Sequence, residues 1–207
     1  MIPVKILAIR YLPGADAGLA EALGAPKGRT SLGILTTDCD DATYIALDAA
    51  TKAADVEVAY ARSFYAGAAN ASTPNAGEVI GILAAKNPGA MKSGMDAAIS
   101  ALGRIGFNDT NGVPYLAHTV SSVGSFLAKE AGVAPGSAIA YLIAPPLEGM
   151  YAMDAALKAS DVMLCKLYAP PSETNFGGGL LTGTQSACQA ACDAFASAVK
   201  EVAQRPK

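Results

Sequence analysis

Hydrophobic positions along the chain follow two periods, one typical of strands and one typical of helices. Several short segments alternate apolar and polar residues, as half-buried strands do. In the segment 88–105 apolar residues instead recur at steps of three and four, as on one face of an amphipathic helix: Met91, Met95, Ala98, Leu102 and Ile105. The two periods together predict a fold in which sheets and helices pack in layers.

The pattern predicts a series of strands and helices that occurs twice. Strands are predicted over 4–11, 31–37, 56–65, 115–120, 138–144 and 162–168, and helices over 17–23, 42–54, 88–105, 122–131, 149–159 and 185–202. A further strand is expected before each of the two long helices. Strands alternating with helices indicate an α+β or α/β layered fold, and the order of the strands stays open.

An internal repeat is the most informative feature of the sequence. Its first copy contains Asp48, Lys52, Asp55 and Val56, and the second copy repeats them 106 residues later as Asp154, Lys158, Asp161 and Val162. Asp96 of the first copy aligns with Asp193 of the second at a shorter offset of 97 residues. A polar, turn-rich stretch over 108–112 suits a linker. We therefore predict two domains, residues 1–108 and 109–207.

Composition narrows the class of protein. Of the 207 residues, 52% are hydrophobic and only 16% are charged, against about 25% charged residues in an average soluble domain. This shortage of charge favours a surface that is covered by subunit contacts. The net charge of −3 and the lack of a basic run argue against a nucleic-acid partner. No apolar stretch is long enough for a membrane span, so we expect a cytoplasmic protein with reduced cysteines.

An acidic cluster at a predicted strand–helix junction is the main candidate site. Asp38, Asp40 and Asp41 lie within four residues. One aspartate could cap the helix, but three close carboxylates repel one another unless they are solvated or paired with a cation. An ammonium group would supply strong hydrogen bonds, and a hard metal ion is a second possibility. From the residues alone, capping and cation binding both stay open.

The remaining motifs do not indicate catalysis. Residues 177–179 are three glycines, but no Lys-Ser/Thr pair follows as in a phosphate-binding loop, so we predict a flexible loop. His118 is the only histidine, and a structural role is favoured over a metal-binding or general-base role. Cys188 and Cys192 share a predicted helix face and are expected in the core. Because one histidine would have to serve every catalytic set, the sequence predicts no enzyme and no metal site.

The repeated motif resembles the shell domain of bacterial microcompartments. In both copies it has the form Asp-x3-Lys-Ala-x-Asp-Val or a close variant of it. Longer blocks resemble the tandem-domain shell proteins of ethanolamine-utilising microcompartments: Ser31-Leu32-Gly33, the segment 40–46, Arg62-Ser63 with Tyr65 to Ala68, the segments 144–148 and 171–175, and Cys188-x3-Cys192. The similarity extends over nearly the whole chain.

This resemblance implies a fold and an assembly. It implies an α+β chain of two tandem, circularly permuted BMC (ferredoxin-like) shell domains, which form a trimer that imitates a hexamer. Lys52 and Lys158 would lie at the edges between tiles, although both also suit helix C-termini. The expected partners are other shell proteins, in the shell of a cytoplasmic organelle.

The resemblance also implies pores. Small pores within each subunit would bind ethanolamine through Asp40, Asp41, Glu78 and Phe107. A central pore with open and closed states would be bordered by loops that contain Gly67, Ala68, Gly177 and Gly178, and would admit cobalamin. Two alternatives stay open: a tandem shell protein of another microcompartment, and a small-molecule sensor or oligomeric enzyme built from a duplicated ferredoxin-like unit.

Overall fold

The computed structural model describes residues 1–64, 79–170, 172 and 174–207. Nine strands and six helices occur in these residues. In chain order they are β1 (Ile6–Leu12), α1 (Ala17–Ala22), β2 (Ser31–Thr37), α2 (Asp40–Ala53), β3 (Val56–Ser63), β4 (Val79–Ala85), α3 (Pro88–Leu102), β5 (Asn108–Thr110), β6 (Val113–Val120), α4 (Ser125–Ala131), β7 (Ala138–Ala144), α5 (Pro146–Ala159), β8 (Val162–Tyr168), β9 (Gly177–Gly183) and α6 (Gln185–Gln204). The predicted helices and strands are confirmed, with ends shifted by a few residues.

The chain divides into two compact units. Unit 1 comprises residues 1–2, 106–123 and 128–207, and unit 2 comprises residues 3–105 and 124–127. The domain boundary predicted after residue 108 lies inside β5. The short segment 124–127 is part of unit 2 although it comes from the second half of the sequence.

Unit 2 contains a four-stranded antiparallel sheet in the order β1-β2-β4-β3. Helices α2 and α3 pack on one face of the sheet, where Gly33 lies against the methionines Met91 and Met95 of α3. Because β-strand side chains alternate, the neighbouring Leu32 points to the opposite face and packs in a cluster with Ala20 of α1. Both faces of this sheet are therefore covered by helices.

Unit 1 contains a five-stranded antiparallel sheet in the order β5-β6-β7-β9-β8. Helices α5 and α6 pack together and against this sheet. Cys188, Cys192 and Phe195 of α6 are buried in its core, next to Leu142 and Leu181. The expectation that both cysteines are core residues is confirmed.

The two units repeat one plan, as the sequence predicts. The series β1-α1-β2-α2-β3-β4-α3 returns as β6-α4-β7-α5-β8-β9-α6, and β5 is the one addition among the described residues. Matching turns have matching backbones: Gly24 and Gly28 have positive φ angles, and so do Gly132 and Gly136, each 108 residues later. This constant offset relates the start of one repeat to the start of the other.

Two sequence interpretations are wrong. The stretch 108–112, predicted as a linker, forms the β5–β6 hairpin, in which Asn111 and Gly112 both have positive φ angles. The glycines at 177–179, predicted as a flexible loop, are buried residues of β9. A Cβ atom on Gly178 would overlap the carbonyl oxygen of Leu142 on the paired strand β7. Glycine is thus required at position 178, where the two strands approach closely. Gly177 and Gly178 are both strand residues.

Candidate ligand site at the start of helix α2

The turn between β2 and α2 is fixed by two threonine hydroxyls. Thr43 Oγ1 donates to the carbonyl oxygen of Cys39 at 2.8 Å, and the same carbonyl accepts a hydrogen bond from Thr37 Oγ1 at 3.0 Å. The N-cap residue of α2 is Cys39, whose side chain makes no capping hydrogen bond. Capping of this helix by the side chain of an N-cap aspartate, one of the two interpretations of the acidic cluster, is therefore not observed.

The three aspartates of the cluster have different surroundings. Asp38 is exposed, and its Oδ1 accepts a hydrogen bond from the backbone N–H of Lys5 at 2.8 Å. Asp40 and Asp41, in the first turn of α2, are only 7% and 6% exposed. The structure thus separates one structural aspartate from a buried pair of carboxyl groups.

Burial makes ionisation of this pair costly. Desolvation raises the pKa of Asp40 above its ordinary value, and hydrogen bonds from Ser63 and from the backbone N–H of Asp41 oppose this rise in part. The pKa of the Cys39 thiol is also raised, first by burial and then by the charge of Asp41. Both pKa values are raised because a site with little water disfavours the charged form of an acid.

Ser63 forms a hydrogen bond with Asp40, and Tyr44 forms one with Ser63; the sequence interpretation assigned no role to either residue. Ser63 ends β3, and its hydroxyl forms hydrogen bonds with both Asp40 and the Tyr44 hydroxyl. Tyr44 follows Asp40 by one turn of α2, and its ring also lies 6.0 Å from that of Phe126. The block Arg62-Ser63 belongs to the resemblance described above, but no local spacing connects it with Asp40.

Of the other predicted ligand residues, the structure describes Phe107 but not Glu78. Phe107 lies in unit 1, where its ring contacts Phe176 edge-on at 5.7 Å and its carbonyl oxygen accepts the backbone N–H of Ile2 at 2.6 Å. Glu78, Gly67 and Ala68 lie outside the described residues. Asp40 and Asp41, which are neighbours in the sequence, lie in unit 2.

The repeated lysines both lie in the last turn of a helix. Lys52 Nζ is 3.4 Å from Asp48 Oδ2, and Lys158 Nζ is 2.6 Å from Asp154 Oδ2. This position suits the negative end of the helix dipole. Their role at tile edges stays a prediction.

Other chemistry is sparse in the part of the chain that the structure describes. His118 lies in β6 opposite Tyr141 of β7. Within the described ranges, no three His, Cys, Asp or Glu residues are grouped so that they could hold a metal ion. No described helix combines the length and apolar character needed to cross a membrane.

The buried pair is suited to a small organic cation. A carboxylate in such a site is stabilised by an opposite charge within about 4–6 Å. A primary ammonium group adds three N–H donors, and charge-assisted hydrogen bonds are among the stronger kind. Such a pair could therefore accept hydrogen bonds from an ammonium group.

Comparisons with known proteins agree with this fold. Residues 31–113 match the BMC domain family. The chain is 53% identical to the bacterial microcompartment shell protein EutL of Clostridium perfringens, over 100% of this chain and 97% of that protein. It is 47% identical to EutL of Escherichia coli, over 100% of this chain and 96% of that protein.

A solved structure shows the same arrangement. The ethanolamine utilization protein EutL from Leptotrichia buccalis, known from a crystal structure, is 57% identical in sequence to this chain. The two structures match with a TM-score of 0.95 over 99% of this chain and 96% of that one. These similarities identify a structural shell protein and argue against the sensor and enzyme alternatives. The chain belongs to the EutL family of bacterial microcompartment shell proteins.

Proposed function

We propose that this chain forms a trimeric tile in the shell of an ethanolamine-degrading microcompartment and binds ethanolamine in small pores within each subunit. Two shell domains, residues 1–108 and 109–207, would supply six similar parts to each trimer. Other shell proteins would be its neighbours at edges that contain Lys52 and Lys158. The names of its close relatives, which include an ethanolamine utilization protein, support this proposal.

The observation that carries the ligand proposal is the buried pair Asp40 and Asp41. Ethanolamine is a primary ammonium ion at neutral pH, and its charge would compensate the cost of ionising these carboxyl groups. Because a bound cation favours the ionised acid, binding would lower the pKa of Asp40. Ser63 would hold the Asp40 carboxylate in place through its hydroxyl.

Further groups complete the proposal. Glu78 would add a carboxylate to the small pore, and Phe107 would contribute its carbonyl oxygen or its ring. A central pore with open and closed states would be bordered by segments that contain Gly67, Ala68, Gly177 and Gly178. We also propose that cobalamin passes through the open state of this pore. The tile itself requires no cofactor.

Native mass spectrometry with and without millimolar ethanolamine tests the assembly and the ligand together. We expect a trimer that retains ethanolamine. A monomer or dimer would contradict the threefold tile, whatever binds to it.

Calorimetry of Asp40→Asn tests the ligand site by itself. The amide retains an acceptor for Ser63 but loses the charge, so we expect ethanolamine affinity to fall at least about tenfold. Asp38→Asn, at the exposed aspartate, is the matched control and should bind as the unaltered protein does. Equal affinity of the two variants would remove Asp40 from the site. Tighter binding of 1,2-propanediol than of ethanolamine would instead favour a shell of another microcompartment.

A further inference from the structure

The carboxyl group of Asp40 is the first member of a series of contacts that ends at Phe126. The Ser63 hydroxyl forms hydrogen bonds with Asp40 and with the Tyr44 hydroxyl. The ring centroids of Tyr44 and Phe126 are 6.0 Å apart, with an angle of 49° between the ring planes. These four residues, which we call the Asp40 network, all lie in unit 2 and come from three elements: α2, β3 and α4.

The number of available protons sets the direction of the hydrogen bonds in the Asp40 network. An ionised aspartate only accepts hydrogen bonds, and a serine hydroxyl has one proton to donate. When Asp40 is ionised, Ser63 therefore donates to Asp40, and the Ser63 oxygen accepts the hydrogen bond from Tyr44. Hydrogen bonds in series polarise one another, so the donation by Tyr44 strengthens the bond that reaches the carboxylate. The Tyr44 hydroxyl thus supports the charged form of Asp40, although Ser63 lies between them.

Phe126 is held in place beside the Tyr44 ring. Asp48 of α2 accepts hydrogen bonds from the backbone N–H groups of Gly124 and Leu127, at 2.7 and 2.9 Å. Phe126 lies between these two anchored residues in the sequence. Its ring contacts the Tyr44 ring at a separation that is favourable for aromatic pairs. The position of the Tyr44 hydroxyl is therefore restricted from both ends of the side chain.

The other repeat forms the same elements without the Asp40 network. An offset of 106 residues relates α2 and β3 to α5 and β8, and an offset of 108 relates Gly24 to Gly132 near the starts of the repeats. Residues without a hydroxyl, carboxyl or aromatic group occupy the related positions: Pro146 for Asp40, Met150 for Tyr44, Ala169 for Ser63 and Gly18 for Phe126. The shared fold therefore does not require the network, and its members occur together only in the repeat that has the buried carboxyl pair.

We infer that Tyr44 is a positioning residue of the ligand site, which orients the Asp40 carboxylate through Ser63 and is itself held by Phe126. The inference rests on the proposed function, in which Asp40 binds the ammonium group of ethanolamine. It adds to that site two side chains, Tyr44 and Phe126, that act without touching the ligand. A carboxylate that is already oriented loses less conformational freedom when it binds, so its affinity for an ammonium group is higher.

Tyr44→Phe tests the inference by calorimetry with ethanolamine in the full chain. The substitution keeps the ring beside Phe126 and removes only the hydroxyl, so the variant should fold with an unchanged circular dichroism spectrum. We expect the dissociation constant for ethanolamine to rise about two- to tenfold, as for the loss of one hydrogen bond. Tyr11→Phe is the matched control, because Tyr11 is 43% exposed on β1, outside the network, and it should bind as the unaltered protein does.

A double-mutant cycle with Ser63→Ala separates positioning from a general structural effect. If Tyr44 acts through Ser63, loss of its hydroxyl should change the affinity by less than about twofold once Ser63 is alanine. Fully additive effects of the two substitutions would overturn the assigned route. Phe126→Leu tests the next contact: it should weaken binding when Tyr44 is present and add less than about twofold to Tyr44→Phe.

The outcomes distinguish this inference from the proposed function. Equal affinity of Tyr44→Phe and Tyr11→Phe for ethanolamine would overturn the positioning role of Tyr44. Loss of binding in Asp40→Asn would, in that case, still support the ligand site itself. Absence of ethanolamine binding by the unaltered protein would overturn both the ligand site and the positioning role.

Discussion

The carboxylate of Asp48 accepts the backbone N–H of Leu127 at 2.9 Å, across 79 residues of sequence. The other oxygen of the same carboxylate accepts the N–H of Gly124. A buried carboxylate requires such donors, because its lone pairs have no water to bind. Asp48 therefore fixes the segment 124–127 within unit 2.

Replacing Asp48 with asparagine should lower the free energy of unfolding by about 1–3 kcal/mol. The amide keeps one acceptor oxygen but turns an N–H donor toward a backbone N–H, which leaves a buried donor without a partner. Urea denaturation at a fixed protein concentration measures this change. Asp96→Asn is the control, because Asp96 also pairs with a lysine one helical turn away, Lys92, but is exposed. It should change the free energy by less than about 0.5 kcal/mol. Equal effects of the two substitutions would contradict the role of Asp48.

The ion pair of Arg29 and Asp55 should make stability depend on pH in the acid range. Arg29 Nη2 is 2.6 Å from Asp55 Oδ1, and a hydrogen bond from the buried Arg29 lowers the pKa of Asp55. A carboxyl group with a lowered pKa stabilises the fold above its unfolded pKa of about 3.9. That stabilisation is lost as the pH falls through the folded pKa.

Asp55→Asn should therefore flatten the acid side of the stability curve. Thermal unfolding between about pH 2 and pH 5 would show a smaller fall in the melting temperature than in the unaltered protein. Asp161→Asn, at the repeat-related position, is the matched control. A curve for Asp55→Asn as steep as that of this control would show that the Arg29 pair contributes nothing to acid sensitivity.

Removing the Ser63 hydroxyl should shift the pH dependence of ethanolamine binding upward. The Ser63 hydrogen bond lowers the pKa of Asp40, so Ser63→Ala should raise that pKa further. Binding of an ammonium ion needs the ionised acid, and the midpoint of the binding curve should move to higher pH. Calorimetry over a pH series that spans this midpoint measures the shift. Ser63→Thr keeps the hydroxyl and should restore the original curve, whereas an unmoved midpoint in Ser63→Ala would separate Ser63 from the site.

Replacing Gly178 with alanine should destabilise unit 1 by about 3 kcal/mol or more, since the added Cβ would overlap the carbonyl oxygen of Leu142. Backbone on a central strand cannot move aside as a flexible side chain could. Gly14→Ala is the control, because a Cβ at Gly14 would meet nothing within 4 Å. Urea denaturation compares the two, and equal stability would restore the interpretation of residues 177–179 as a loop.

The local sequence pattern was enough to predict the helices and the internal repeat of this protein. The periodicity around Met91 and Met95 identified α3, and the recurrence of Asp48 as Asp154 identified the repeat. Such features depend on residues a few positions apart, or on comparison of the chain with itself. The acidic cluster was visible for the same reason, because Asp40 and Asp41 are neighbours.

Tertiary structure decided what each of these residues does. Asp48 and Asp154 have nearly the same local sequence and a lysine four residues later, yet one is fully buried and the other exposed. Ser63 at the end of strand β3 forms a hydrogen bond with Asp40 of helix α2, and Gly178 leaves room for the backbone of the neighbouring strand β7. Burial and hydrogen bonding depend on which distant segment packs against a residue, and local sequence does not contain that information.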